Sequence, residues 1–255
     1  MIRGCDTDNY DQVVSVARFR KLHDDHNIRF NIVSLERGGP YAPSQKANCE
    51  AVGIVVPEGY RFLYWDNFDL ERMKEAAGFG LPIWIDCEWA DGMTGGPEAT
   101  VERIATARDL LKREGRYAGI YSGNWWWGPC TGGSLAFAGD WGWGANYPFG
   151  DALPPTDYEP DFANLVRFGG LDFKVWQYAN NAYGEPGFDM NAAETAFWED
   201  DVTNEEIALR TAVIRTLLRD DYHFKDAGVD AVTGAKIVEV LTGVHEDEAI
   251  RIRVR

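Results

Sequence analysis

The sequence predicts an α/β barrel followed by a small C-terminal α+β appendage. Three observations lead there. Strand-like and helix-like segments alternate over the first two-thirds of the chain, the helix-like segments carry one-sided apolar stripes, and the strand-like ones end in polar or acidic residues. Strand and helix in this rhythm give a parallel sheet with helical crossovers. A sheet of about this many units closes as a barrel, with its site at the C-terminal ends of the strands.

The elements follow in order. Ile2–Thr7 reads as the first strand, and Gln12–Leu22 has helical spacing through Val13, Val16, Ala17 and Phe19. Phe30–Leu35 is a second strand, ending in the turn at Glu36-Arg37-Gly38-Gly39-Pro40. Ser44–Val52 suits a helix, Tyr60–Trp65 a strand and Asp69–Ala77 a helix. Leu81–Cys87 is a short apolar run closed by polar residues, the pattern of a buried strand. Ala99–Glu114 is the clearest helix, with Val101, Ile104, Ala105, Ala107 and Leu111 on one stripe and Gly115 as its stop. Tyr117–Ser122 is the next strand. Residues 123–160 are rich in Gly, Pro and Trp, and no helix is expected there. Strands are expected at Gly142–Tyr147 and Phe173–Tyr178, so the last strands of the barrel lack helices.

A boundary falls near Trp198–Thr203, giving domains at 1–198 and 199–255. In the second, Asn204–Asp221 is amphipathic behind a Thr203/Glu206 capping box. Thr233–Leu241 is a second short helix, and Ala249–Arg255 alternates as an edge strand. This tail is too small for a large core of its own. It is expected to dock on the barrel or on another copy of the chain.

Composition narrows the partners. The chain has 255 residues, 45% of them hydrophobic and 26% charged, with a net charge of −16. That charge argues against nucleic acid, which needs clustered Lys and Arg, and against an anionic membrane surface. A neutral sugar polymer is compatible with it. No apolar run approaches the roughly 20 residues that span a bilayer. The N-terminus runs straight into a strand, leaving no room for a secretory signal. Synthesis in a cytoplasm, with another route to any extracellular target, is the expectation. The cysteines Cys5, Cys49, Cys87 and Cys130 form no C-x-x-C pair, which argues against zinc and for reduced, buried thiols.

Asp86 and Glu88 are the most informative residues. Two apart on a strand, they share a face, and Cys87 takes the other. Taken alone, the pair reads as easily as strand-end carboxylates capping backbone amides. Carboxylates are costly to bury without a purpose, and two at a strand mouth suit acid–base work, most simply glycoside hydrolysis. Asp6 also ends a strand. The tryptophans of 125–127, with Trp141, Trp143, Trp176 and Tyr178, offer aromatic faces of the kind that pack on sugar rings. Three consecutive tryptophans cannot share one core, so at least one is expected in a groove and one packed outward. Tyr121 and Tyr147 are candidate groove hydroxyls, and Asn146 and Gln177 candidate partners for acetamido groups. Four acids can also make a Mg²⁺ or Ca²⁺ site. The aromatic surroundings suit sugars better, and no metal or cofactor is expected. His23 and His26 flank Asp24-Asp25 as a solvated helix end rather than a metal clip.

Several segments together resemble the family 25 glycoside hydrolases, the lysozyme-type N-acetylmuramidases of phages and bacteria. GCDTDNY (4–10) resembles that family's opening strand, although Asp8 or Asn9 stands where a Ser is common. IDCEWA (85–90) resembles its Asp-x-Glu strand, GIYSGNWWW (119–127) its Tyr strand and WGWGANY (141–147) its Trp-x-Ala-x-Tyr segment. KVWQYANN (174–181) carries a Trp-Gln-Tyr signature, and PGFDMNAA (186–193) resembles the closing strand. Order and spacing agree over residues 1 to about 198. Tyr60 or Tyr64 takes the family's tyrosine place, and residues 199–255 match no wall-binding repeat. The resemblance implies a modified barrel of five β/α units and three further strands, acting on the sugar backbone of peptidoglycan.

Carried over by position, the acidic set is Asp6, Asp86, Glu88 and Asp189. Glu88 is the expected general acid, its proton held by neighbouring carboxylates. Asp6 and Asp189 would meet across the barrel mouth to stabilise a sugar cation or orient water, and Asp86 would orient the acetamido group. The implied protein is a phage-type endolysin or virion-associated lysin, reaching the wall through a holin pore or with the virion. The alternative is a sugar-binding or virion structural protein on a hydrolase-like barrel, with residues 199–255 as a possible homo-oligomer contact.

Overall fold

In a computed structural model of the chain, the described residues are 1–7, 13–36, 41–88, 95–150, 152, 154–155, 157–180 and 188–196. The readings made above for residues 199–255, for Asp8 and Asn9 and for the turn at 37–40 lie outside them. One compact unit spans Met1–Thr195.

Eight strands close into a barrel in sequence order: β1 (Ile2–Thr7), β2 (Ile28–Ser34), β3 (Gly59–Phe62), β4 (Ile83–Asp86), β5 (Tyr117–Gly123), β6 (Trp141–Ala145), β7 (Asp172–Ala179) and β8 (Phe188–Ala193). Neighbours from β1 to β7 run parallel, while β8 is antiparallel to both β7 and β1. Helices α1 (Val16–His26), α2 (Ala42–Glu50), α3 (Asp69–Ala77), α4 (Gly96–Arg113) and α5 (Asn124–Thr131) each follow one of the first five strands. These are the five β/α units plus three strands that the family resemblance implies, although the local reading of residues 123–160 placed no helix there. Among the described residues between β6 and β7, only a 3-10 turn at Phe162–Asn164 is regular.

Local sequence accounts for most helix limits. Ser15 caps α1, its hydroxyl accepting from the Arg18 amide, so the helix begins later than its apolar pattern suggests. Asn27 ends it in a left-handed conformation at φ 56°. In α4 the buried residues Thr100, Ile104, Ala107 and Leu111 fall at helical spacing. The helix α5 was not expected, because its sequence NWWWGPCT contains both Gly and Pro. Burial of Trp126 and Trp127 against the outside of the barrel outweighs that poor intrinsic preference. Trp126 stacks on Trp65 at 5.6 Å, and Trp127 packs on Phe137 and Phe168.

The barrel lumen is packed with aromatic rings. Tyr60 on β3 meets Trp143 on β6 with ring centroids 5.8 Å apart, and Trp84 on β4 meets Trp143 at 6.1 Å. Neither pair of strands is adjacent in the sheet, so both contacts cross the lumen. Large rings need small neighbours there. A Cβ on Gly4 would stand 2.3 Å from the Phe30 ring. A Cβ on Gly119 would stand 2.4 Å from both the Trp84 ring and the Trp141 carbonyl oxygen. The opposite strand faces, with Cys5, Val33, Ile85, Cys87, Ile120, Trp176 and Met190, join the helices in a second, outer core. The four cysteines are free thiols, and burial pushes the Cys5 and Cys87 thiols well up.

Gly119→Ala is expected to destabilise the barrel by about 2–3 kcal/mol through overpacking against a backbone carbonyl that cannot yield. Gly128→Ala, whose Cβ would meet nothing within 4 Å inside α5, is expected to be neutral or to stabilise by about 0.5–1 kcal/mol. Urea unfolding midpoints of the two variants check the contrast.

Candidate active site

The parallel strands β1 to β7 all end at one rim of the barrel. Being antiparallel, β8 begins at that rim. Cross-strand register sets Asp6 directly beside Asp189, and Gly4 beside Asn191. The two aspartates are thus neighbours on adjacent strands, not partners facing each other across the mouth as the sequence led us to expect. The closing role of β8, which the alternation pattern does not encode, is the reason. Asp86 ends β4, and Glu88 follows two residues later. Asp6 and Asp86 are almost wholly buried, whereas Glu88 and Asp189 are half-buried at the opening.

A network of amides and phenols joins these acids. Asn191 Nδ2 donates to Asp6 Oδ2 at 2.7 Å, while Asn191 Oδ1 accepts from Trp143 Nε1 at 2.8 Å. Gln177 Nε2 donates to Asp6 Oδ2 at 2.9 Å and to Asp189 Oδ2 at 3.3 Å. Gln177 Oε1 accepts from the Tyr121 hydroxyl at 2.8 Å and the Tyr147 hydroxyl at 2.6 Å. The Tyr121 oxygen also lies 3.2 Å from Glu88 Oε2. These contacts join β1, β5, β6, β7 and β8 through the lumen, so the network lies at the rim where β1 to β7 end.

Burial, reinforced by neighbouring carboxylates, shifts the protonation of the cluster. Burial pushes the Asp6 carboxyl well above the usual range, and Asp189 adds to the shift against hydrogen bonds from Gln177 and Asn191. Asp86 is pushed well up by burial, then by Glu88, Glu36 and Asp6, with no hydrogen bond opposing the shift. Its Oδ1 is buried without a hydrogen-bond partner. Glu88 is raised by burial, with Asp189 adding to the shift; a proton aimed at it from the Tyr121 hydroxyl would oppose the rise. Burial raises Asp6, Asp86 and Glu88 together, while N–H groups are aimed at Asp6 and Asp189, and such a cluster can supply both a proton donor and negative charge.

Not every candidate joins this cluster. Trp176 and Tyr178 flank Gln177 on β7, so strand alternation turns them to the outer core, where they are 0% and 1% exposed. There Trp176 Nε1 donates to the Asn146 backbone carbonyl at 2.9 Å. Neither offers a face at the rim. Trp143 is 1% exposed and forms the floor beneath the acids, its ring 4.5 Å from that of Tyr121. Gln177 is buried, and all its bonding capacity is spent within the protein. Asn146 fixes the following loop, accepting from the Val166 amide at 3.2 Å and donating to the Asn164 carbonyl at 3.3 Å. The expected substrate-binding set thus contracts to Trp125, Tyr121 and Tyr147. Trp125 is 59% exposed, and its indole covers Gly123 at the end of β5, on the rim.

Glu36 was missed as a site residue. It follows β2 at the same rim, is buried, accepts from the Phe62 amide at 2.8 Å and the Tyr64 hydroxyl at 2.9 Å, and pairs with Arg61. Its field reaches Asp86. The signal was present: an acid immediately after a strand, in the position that Asp6 and Asp86 occupy. Of the two tyrosine candidates on the third strand segment, Tyr60 lies in the lumen beside Trp143, and Tyr64 stands at the rim on Glu36. Among the described residues, no group of three or more His, Cys, Asp or Glu is placed to hold a metal ion.

Architecture and rim together define a modified TIM-type barrel. More narrowly, the chain has the fold of the family 25 glycoside hydrolases. A muramidase from Trichobolus zukalii matches it at TM-score 0.58 and 20% identity, over 79% of this chain and 98% of that one. A family GH25 lysozyme from Aspergillus fumigatus matches at 0.56 and 16%, over 78% and 96%. The catalytic domain of an endolysin from a Listeria monocytogenes bacteriophage matches at 0.53 and 16%, over 78% and 96%. No protein-family model and no curated protein matches the sequence.

A carboxyl whose pKa is raised on folding binds a proton that the unfolded chain gives up. Its cost to stability is absent below the unfolded pKa, about 3.9 for Asp, and grows as pH rises from there toward the folded value. Asp86→Asn is therefore expected to raise the thermal midpoint at pH 7. The gain should vanish near pH 3, and parallel melts at the two pH values test this.

Proposed function

We propose that the protein is a peptidoglycan hydrolase that cleaves the β-1,4 bond between N-acetylmuramic acid and N-acetylglucosamine. One observation carries the reading. A half-buried glutamate, Glu88, stands at the rim with Asp6, Asp86 and Asp189 around it and an exposed indole, Trp125, on the same rim. The fold shared with muramidases and an endolysin catalytic domain supports the same reading.

In this proposal Glu88 is the general acid. Its raised pKa keeps the proton available for the departing glycosidic oxygen. Asp6 and Asp189 supply the negative charge that stabilises an oxocarbenium-like transition state. Asp86, with one oxygen lacking a partner, orients the acetamido group of the bound sugar. Trp125 offers an apolar face to a sugar ring, and the Tyr147 hydroxyl borders the groove. Residues 1–198 form the catalytic domain, and residues 199–255 serve wall recognition or self-association. No helix among the described residues is long and apolar enough to cross a membrane. The proposed setting is a phage-type lysin that meets the wall after holin-type release or as part of a virion.

Glu88→Gln is expected to lower the release of reducing ends from purified peptidoglycan by about 10²–10⁴-fold, the usual contribution of a general acid. Pelleting with cell walls should be retained. Mass spectrometry of the wild-type products should find muramic acid at the new reducing ends. An undiminished Glu88→Gln enzyme would remove the proposed acid, and N-acetylglucosamine at those ends would remove the bond specificity. Trp125→Ala is expected to raise KM by roughly tenfold, about 1.4 kcal/mol of binding, with kcat little changed. Initial rates across substrate concentration separate the two parameters.

A further inference from the structure

Gln177 was expected to contact sugar, yet its amide is consumed inside the protein. Both N–H groups go to carboxyl oxygens, Asp6 Oδ2 and Asp189 Oδ2, and the single carbonyl oxygen faces two phenols. An amide has two donors on one atom and two acceptor sites on the other, so every position is filled. Resting on the proposed function, we infer that Gln177 is a positioning residue that keeps the catalytic proton on Glu88. It does so by claiming the hydroxyl proton of Tyr121.

The argument is a count of hydrogens. The Trp143 indole N–H only donates, so Asn191 Oδ1 is the acceptor facing it and Asn191 Nδ2 must be the donor to Asp6 Oδ2. Asp6 Oδ2 is therefore already an acceptor where it meets Gln177. A reversed Gln177 amide would need a proton both on that oxygen and on Asp189 Oδ2. The orientation found needs neither. Gln177 Oε1 then carries no hydrogen, and two oxygens at 2.8 and 2.6 Å from it require a proton from each tyrosine. Tyr121 also contacts the Tyr147 hydroxyl, but it has one proton to give, and Gln177 Oε1 at 2.8 Å, which carries no hydrogen of its own, takes it. What Tyr121 turns toward Glu88, 3.2 Å away, is a lone pair. Only a protonated carboxyl can complete that contact as a hydrogen bond, so the network favours the acid form of Glu88.

Among the described residues, the other charged and titratable groups around Glu88 act in the same direction. Asp189 from β8, Asp86 from β4 and Asp6 from β1 are like charges when ionised. Tyr147, beyond β6, is held neutral by burial. The Tyr121 hydroxyl can oppose the acid form only if its proton points at Glu88, and Gln177 prevents this. Gln177 thus divides the carboxyls: those on its N–H side accept, and the one beyond its C=O side must donate.

Gln177→Met keeps the volume and removes both functions. Tyr121 is then free to donate to a Glu88 carboxylate, and the basic limb of the pH profile of kcat/KM should move down by roughly one pH unit. A loss of equal size at every pH, with the limb unmoved, would show a structural role only and overturn the inference. Tyr121→Phe is the second variant and does not depend on how Gln177→Met folds. With Tyr121 accepting from Glu88, its removal lowers the Glu88 pKa; with Tyr121 donating, removal raises it, and a rise overturns the inference. A ¹³C titration of the Glu88 carboxyl, assigned by its loss in Glu88→Gln, reads the same shifts without any catalysis. If both variants lower that titration while the wild-type chain releases no reducing ends from peptidoglycan, the proton arrangement stands and the proposed function fails.

Discussion

Several carboxyl groups confined at one end of a closed barrel set the conditions for everything else at this site. Like charges in a poorly solvated space cannot all ionise. Protons must be retained on some of them, or donors must be supplied to the others. The chain does both. Asn191 and Gln177 aim N–H groups at Asp6 and Asp189, while Asp86 and Glu88 receive no N–H group from either amide, and burial raises Asp6, Asp86 and Glu88 alike. The same crowding that makes the site unfavourable for folding prepares groups in two protonation states side by side.

The architecture supplies the means. Seven parallel strands bring their ends to one rim, and an antiparallel eighth adds its beginning to it. Asp189 and Asn191 are far from Asp6 in sequence and adjacent to it in space. Below the rim, Trp143 joins two functions: its ring fills the lumen, and its N–H orients Asn191. Packing of the barrel and polarity of the site are coupled through that one side chain. The glycines at 4 and 119 belong to the same economy of space, because the rings that fill the lumen leave no room for a Cβ beside them.

Most of the fold was legible because alternation of period-2 and period-3.6 segments is a local property. The failures were equally physical. The helix α5 escaped notice because Gly128 and Pro129 read as breakers, whereas two buried indoles hold the turn in place. Placing Trp176, Gln177 and Tyr178 in one groove ignored the alternation of side chains along β7, which the sequence did contain. Glu36 was passed over as part of a turn, although it ends β2 as Asp86 ends β4. Of the three consecutive tryptophans, at least one was expected to line a groove and one to pack outward. Trp126 and Trp127 pack in the outer core, and Trp125 is exposed at the rim.

The sequence by itself determined the periodic pattern, the barrel class and the residue types available for chemistry, because these depend on near neighbours along the chain. Only the tertiary structure decided which acids touch, which amides hold them and which oxygen faces Glu88. Those contacts join strands up to 185 residues apart. Hydrogen-bond direction follows from the sum of donors and acceptors in one enclosed space, and no segment of the chain carries that sum alone.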